Sequence, residues 1–405
     1  MADVRPFIAL RPLPQLAHKV AAPPYDVVEA DEARAIIERA PDSFLRVTRP
    51  DADPASPAAT EDEQHEQGAA ALQELVRRGV LVREQEPAFW VYRQQVRSRV
   101  QTGVVGLASV ADYDSGVVRV HELTRPDKED ERARHIDVLD AHDEPVVLFH
   151  RGSGELDAVV DAVTGGEHDL AVTTPDGVWH TLWRISAPDA VERVVKAFAG
   201  LDRLYVADGH HRTAAAARLA AARRGLDPEE AGEVDGFLAV IFPAAELTVL
   251  PYHRVVTTTD GDLLDRLHDV GDLEPVEDAF VPEDRTTVGV GGVVGWYRLR
   301  YGGELPPEGS VQGLAVSLLQ ERVLAPLLGV EDPRRDPRLA FVGGPDGLAE
   351  LDARIHDGRA EVAFALPATA LADLVAVSDR GAIMPPKSTW FWPKPASGLL
   401  VHPLH

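Results

Sequence analysis

Asp208-Gly209-His210-His211-Arg212 is the part of this chain best equipped for chemistry. It follows an apolar, β-prone run, Leu204-Tyr205-Val206-Ala207, and leads into the alanine-rich Thr213-Ala214-Ala215-Ala216-Ala217-Arg218-Leu219. That order predicts a strand, a tight turn and a helix. The first free N–H groups of such a helix, with its dipole, favour an anion over the turn. Two histidines and an arginine add donors suited to phosphate oxygens. An ordinary Asp-Gly turn with a packed histidine is the plainer reading. A zinc site is disfavoured, because adjacent histidines rarely aim at one ion and no His-x-x-x-His spacing follows.

A second group is His121-Glu122, which ends the strand-like Gly116-Val117-Val118-Arg119-Val120 just before Pro126. A carboxylate at a strand end beside a phosphate cradle is placed to act as a general base. The charges that follow, Asp127 to His135, read equally well as a solvated helix, with Glu131 and His135 one turn apart.

A third is Met384-Pro385-Pro386-Lys387-Ser388-Thr389-Trp390-Phe391-Trp392-Pro393-Lys394. Lys-Ser-Thr offers one cation and two hydroxyls in a row. Lysine is scarce: Lys19, Lys128, Lys196, Lys387 and Lys394 are all there are, and two fall in this segment. The glycines of a Walker A loop are missing. The plainer reading is a C-terminal strand anchored by aromatic rings.

Elements must carry these groups. Helices are expected near 29–39 and 61–78, with an exposed loop over 51–59. Phe89–Gln94 and Val104–Val110 look like neighbouring strands, and Gly236–Phe242 like a buried one. Pro188 opens a helix, and Leu314–Leu328 is a periodic helix stopped by Gly329. At 405 residues two or three lobes are expected. The boundaries drawn are an N-terminal α/β segment over 1–110, a phosphate-binding lobe over 111–256 and a C-terminal α/β lobe over 257–405.

Composition narrows the function. A net charge of −25 opposes nucleic-acid binding. No apolar run approaches the ~20 residues of a membrane helix and the N-terminus lacks a signal pattern, so a cytoplasmic protein is expected. The absence of cysteine removes disulfides, thiolate metal sites and a thiol nucleophile.

The series Ala22-Pro23-Pro24-Tyr25-Asp26-Val27, Phe44-Leu45-Arg46, Val91-Tyr92-Arg93-Gln94, His121-Glu122-Leu123-Thr124-Arg125-Pro126, Asp208-Gly209-His210-His211-Arg212 and Pro385-Pro386-Lys387-Ser388-Thr389-Trp390-Phe391 resembles, in order and over nearly the whole chain, the motifs of a bacterial family called domain of unknown function 1015. That family in turn resembles the archaeal free-serine kinase, of ParB/sulfiredoxin-like fold. The resemblance implies a mixed α/β protein whose central lobe has that fold, with N-terminal and C-terminal segments closing one cleft.

It also implies a phosphotransferase that joins a nucleotide (ATP or ADP, with CTP as a third candidate) to free serine, or runs the reverse reaction on phosphoserine. Glu122 and His211 would be catalytic. Asp208, Gly209, His210, His211, Arg212, Lys387, Ser388 and Thr389 would bind the nucleotide. Mg2+ is expected, with Asp208 the one ligand that can be named. Two alternatives stay open: a ParB-like nucleotide switch without catalysis, and a phosphoserine phosphatase needing no nucleotide. Sulfiredoxin carries its reactive cysteine where this chain has His210, which removes that chemistry. Direction of transfer and oligomeric state stay open as well.

Overall fold

The computed structural model describes residues 1–54, 60–259 and 263–405. The part of the expected loop over residues 55–59 lies outside the described residues; its start, Pro50–Ala52, is a turn of 3₁₀-helix. Chain contacts divide the molecule into two units. Unit 1 is residues 1–119, 124–247 and 393–405; unit 2 is residues 120–123 and 248–392. The mixed α/β class expected from the sequence is found in both.

Unit 1 is built on a nine-stranded sheet. In chain order its strands are β1 (Val4–Arg5), β2 (Phe89–Val96), β3 (Arg99–Ser109), β4 (Val118–Arg119), β5 (Val146–His150), β6 (Leu170–Thr173), β7 (Trp179–Ile185), β8 (Leu204–Asp208) and β9 (Gly236–Pro243). Their spatial order is β4-β8-β5-β9-β3-β2-β7-β6, with β1 paired to β3. β5 and β9 are apolar without alternation and buried along almost their whole length, as strands covered on both faces must be.

The expected strands at 89–94 and 104–110 pair as an antiparallel hairpin, Trp90 opposite Val105. That hairpin also pairs with β7 and β9. The boundary expected at residue 110 therefore falls at the end of β3, an interior strand of a single sheet whose strands come from both sides of it. Likewise residues 393–405 belong to unit 1 rather than to a C-terminal lobe. Strand pairing is decided by partners far away in sequence, which local composition does not show.

Two helices of unit 1 matter below. α1 (Glu61–Arg77) starts at a capping box, Thr60 and Glu63 satisfying each other's backbone N–H groups. α2 (Pro126–Leu139) begins with proline at its first position, where a missing N–H costs nothing. Both pack on a buried cluster that includes Phe44, Leu45, Leu72, Leu75, Leu139 and Val401.

Unit 2 holds a six-stranded sheet: β10 (His253–Val256), β11 (Gly271–Val276), β12 (Thr287–Gly292), β13 (Gly295–Tyr301), β14 (Leu339–Val342) and β15 (Val362–Ala365), in the order β11-β13-β12-β15-β10-β14. Its core gathers Val255, Trp296, Val342, Leu351, Ala363 and Ala365. The periodic helix expected over 314–328 is present from Ala315, but Gln320–Leu324 widens to a π turn. Pro326 has no N–H to close the regular ladder there. Gly329, at φ 65°, ends it as expected.

Candidate functional site

In unit 1 the predicted strand–turn–helix is present. β8 ends at Asp208, and the 13-residue helix α3 (His210–Ala222) begins two residues later. A register shift between Val206 and Asp208 marks a bulge, a device that re-aims the side chain following it. Gly209 sits at φ 93°, a left-handed conformation that a side chain resists. A Cβ there would also stand 3.0 Å from Nε of Arg212. Glycine is thus required twice over. Thr213 donates both N–H and Oγ1–H to the Gly209 carbonyl, at 2.9 and 3.1 Å, which closes the first turn.

The histidines are neutral donors rather than cations. His210 is buried, and burial, aided by the neighbouring His211, pushes its pKa down to about 3. Nε2 of His211 accepts the backbone N–H of Arg125 at 3.3 Å, which leaves Nδ1 to carry its proton.

Arg212 is bound internally. Nη1 donates to Glu144 at 2.9 Å and Nη2 to Asp208 at 3.1 Å. Its Nε is buried without a hydrogen-bond partner. Burial opposes its charge, but Glu144 and Asp208 raise its pKa above the ordinary arginine value.

Two residues of this network lay outside the sequence expectation. Glu144 is buried; besides Arg212, it accepts from Ser397 Oγ and from the Tyr25 N–H. Its pKa is raised, chiefly by burial and against the pull of Arg212. Lys394 places its ammonium 2.7 Å from Asp26 and 3.4 Å from Asp208. Burial works against that charge, yet Asp208 and Asp26 hold the pKa above the usual lysine value.

Strand residues fix the backbone around Lys394. Gln94 on β2 donates to the Lys394 carbonyl at 2.7 Å, and Gln101 on β3 donates to that of Pro393 at 3.0 Å. Tyr92 accepts the Ala396 N–H at 3.1 Å. The one signal that pointed to Lys394 was the scarcity of lysine. Asp26, in the Pro24-Tyr25-Asp26 motif, is its partner.

In unit 2 the structure brings together the His121-Glu122 and Lys387-Ser388-Thr389 segments. The Met384 N–H donates to the His121 carbonyl at 2.8 Å, and Nε2 of His121 lies 3.2 Å from Oγ1 of Thr389. Arg254 is buried on β10 and donates to the carbonyls of both Pro386 and Lys387 at 3.0 Å. Burial lowers its pKa to about 9, opposed by the charges of Tyr252 and Glu122.

Lys387 is exposed and sits at φ 56°, with Nζ 5.8 Å from the Tyr252 ring centre. A side-chain-bearing residue in that region stores about 1–3 kcal/mol of strain, which a surrounding structure must hold. Arg254 supplies that hold. Ser388 is not a free donor: its buried hydroxyl donates to the Pro385 carbonyl at 2.7 Å.

Together these features define a mixed α/β protein with a glycine-turned helix N-terminus set in a buried network of ion pairs. The chain belongs to the family described as protein of unknown function (DUF1015), whose model matches residues 4–320. No curated protein matches the chain. Among solved structures, free serine kinase in complex with AMP is similar at 11% identity and a TM-score of 0.37, over 71% of this chain and 86% of that one. SbnI with C-terminal truncation, from Staphylococcus aureus, is similar at 12% identity and 0.37, over 71% and 82%. A conserved hypothetical protein from Pyrococcus furiosus is similar at 12% and 0.36, over 72% and 91%. Likeness this loose lends the chain neither their ligands nor their activity. Among the described residues no helix is long and apolar enough to cross a membrane.

Proposed function

We propose that this chain is a nucleotide-dependent phosphotransferase acting on the hydroxyl of free serine, or on phosphoserine in reverse. The observation that supports it most is the turn: Gly209 in the left-handed region opens a 13-residue helix at its phosphate-favouring end, with neutral His210 and His211 at its first two positions. The serine assignment rests on the resemblance of the turn, of His121-Glu122 and of Lys387-Ser388-Thr389 to the serine-kinase motifs.

In this reading the N–H groups of α3 and the neutral histidines take nucleotide phosphates. Glu122 removes the hydroxyl proton of serine as the oxygen attacks the terminal phosphorus. The bond to the bridging oxygen breaks and that oxygen leaves on the shortened nucleotide. Arg212 orders the turn through Glu144 and Asp208 and serves as a positioning residue. Asp208 does not fit a resident Mg2+, because one carboxylate oxygen faces Lys394 and the other Arg212. No step is routed through a metal here.

The test is a 31P NMR assay with serine and each of ATP, ADP and CTP, and with phosphoserine alone or with the shortened nucleotide. Phosphoserine formed from serine, or nucleotide rebuilt from phosphoserine, supports the reading. Phosphate released from phosphoserine without nucleotide marks a phosphatase. Nucleotide binding with no transfer in either direction marks a switch and ends the kinase reading.

A further inference from the structure

Unit 1 contains a second group of ionisable side chains that the proposed reaction does not use. His65 on α1 and His135 on α2 face each other, Nδ1 to Nδ1 at 3.3 Å, and both are buried. On its far side His135 presents Nε2 to Asp143 at 2.9 Å. His65 and His135 also line a pocket of about 370 Å3, together with Tyr25, Arg49, Lys128 and Arg132.

The order of protons along this chain follows from donor and acceptor rules. Asp143 is buried and faces Nε2 of His135, and as a carboxylate it only accepts. Nε2 of His135 must therefore carry the proton, and in the neutral ring Nδ1 is a lone pair. The 3.3 Å contact then requires the proton on Nδ1 of His65, and a neutral His65 ring is left with a bare Nε2. The carboxylate–histidine order is the one that fixes tautomer and raises basicity at working histidines elsewhere.

The pocket wall supplies donors. Lys128 and Arg132 share one carboxylate, Glu131, and each keeps further N–H groups beyond that pair. Arg132 also lies 4.1 Å from the centre of the Tyr25 ring, which holds its guanidinium in place. Of the other acids lining the pocket, Asp26 pairs with Lys394 and Asp51 with Arg49, while Glu61 is exposed to solvent.

We propose that this pocket is a separate binding site for a small oxyanion that still carries a proton, a hydrogen phosphate group, with His65 Nε2 accepting its hydrogen bond and Lys128 and Arg132 as the anion's partners. The ligand's O–H points at Nε2. The proposal does not depend on the phosphotransferase reading.

Long-range 1H–15N NMR of the full chain, with 15N-labelled histidine, tests it in separate titrations with inorganic phosphate and with acetate. His65 should appear as the Nδ1–H tautomer, and its Nε2 resonance should shift saturably with phosphate and not with acetate, which has no O–H to donate. Lys128→Ala should raise the apparent Kd roughly tenfold or more, the worth of one charge-assisted hydrogen bond. Gly209→Ala, which perturbs the other anion-binding turn, should leave the His65 response intact. An Nε2–H tautomer, no response to phosphate, an equal response to acetate, or a response abolished by Gly209→Ala but untouched by Lys128→Ala would each overturn the proposal.

Discussion

Lys394 Nζ stands 3.4 Å from the Asp208 carboxylate, though the two residues are 186 positions apart. The pair joins the chain's last thirteen residues to the strand end that opens the phosphate turn. Removing one partner of a buried pair costs about 3–5 kcal/mol, because the other is left charged and unsolvated. Lys394→Met should therefore lower stability by an amount of that order, read from the urea midpoint, and weaken nucleotide binding in calorimetry. An unfolding free energy within about 0.5 kcal/mol of wild type would place Lys394 among ordinary surface residues.

Gly209→Ala should cost about 1–3 kcal/mol from backbone strain alone. The added methyl meets the Arg212 guanidinium as well, so nucleotide affinity should fall with stability. A stable variant with wild-type affinity would remove the turn from the site.

Arg254 makes a prediction for unit 2. Arg254→Met removes the guanidinium that donates to the Pro386 and Lys387 carbonyls and so loosens the left-handed turn at Lys387. Trypsin should cut after Lys387 sooner in the variant than in the wild type under native conditions. Equal cleavage times would show that the turn holds itself.

Buried histidines set the response to acid. Burial lowers His65, His142 and His253 to about 4, and His180 and His210 to about 3, from an ordinary value of 6.5. Between those values the unfolded chain binds more protons than the folded one, so the stability these rings contribute is complete above pH 6.5 and is lost as pH falls toward 4 and below. Glu144 has the opposite sign: its pKa is raised, so its contribution is present at acid pH and lost as pH rises. Burial lowers His150 and His402 as well and raises Glu246, so among the described residues seven rings stand against two carboxylates and set the net direction. Urea midpoints at pH 7.5, 6 and 5 should decline in that order, and a flat series would contradict the burial of the histidines.

The turn was legible in the sequence because every residue that makes it lies within about a dozen positions: an apolar run, Asp-Gly, then alanines. The hairpin of β2 and β3 and the helix opened by Pro188 were legible for the same reason. Glu144 and Lys394 were not. Their roles come from pairings 68 and 186 residues away, and only the rarity of lysine drew attention to one of them. The boundary drawn at residue 110 was not legible in local composition, because β2 and β3 pair with β7 and β9, which lie beyond it. Arg212 was expected to point at phosphate, yet it is held by two carboxylates that local sequence could not weigh.

The most direct test of the account compares wild type with Glu122→Gln, measuring nucleotide affinity by calorimetry and phosphoserine formation by 31P NMR on the same preparations. Loss of a general base costs about 10²–10⁴ in rate, while the amide keeps the shape and polarity of the side chain. The account predicts unchanged nucleotide affinity and transfer slowed by roughly a hundredfold or more. Transfer at the wild-type rate in Glu122→Gln, or none from the wild type with any nucleotide, would contradict it.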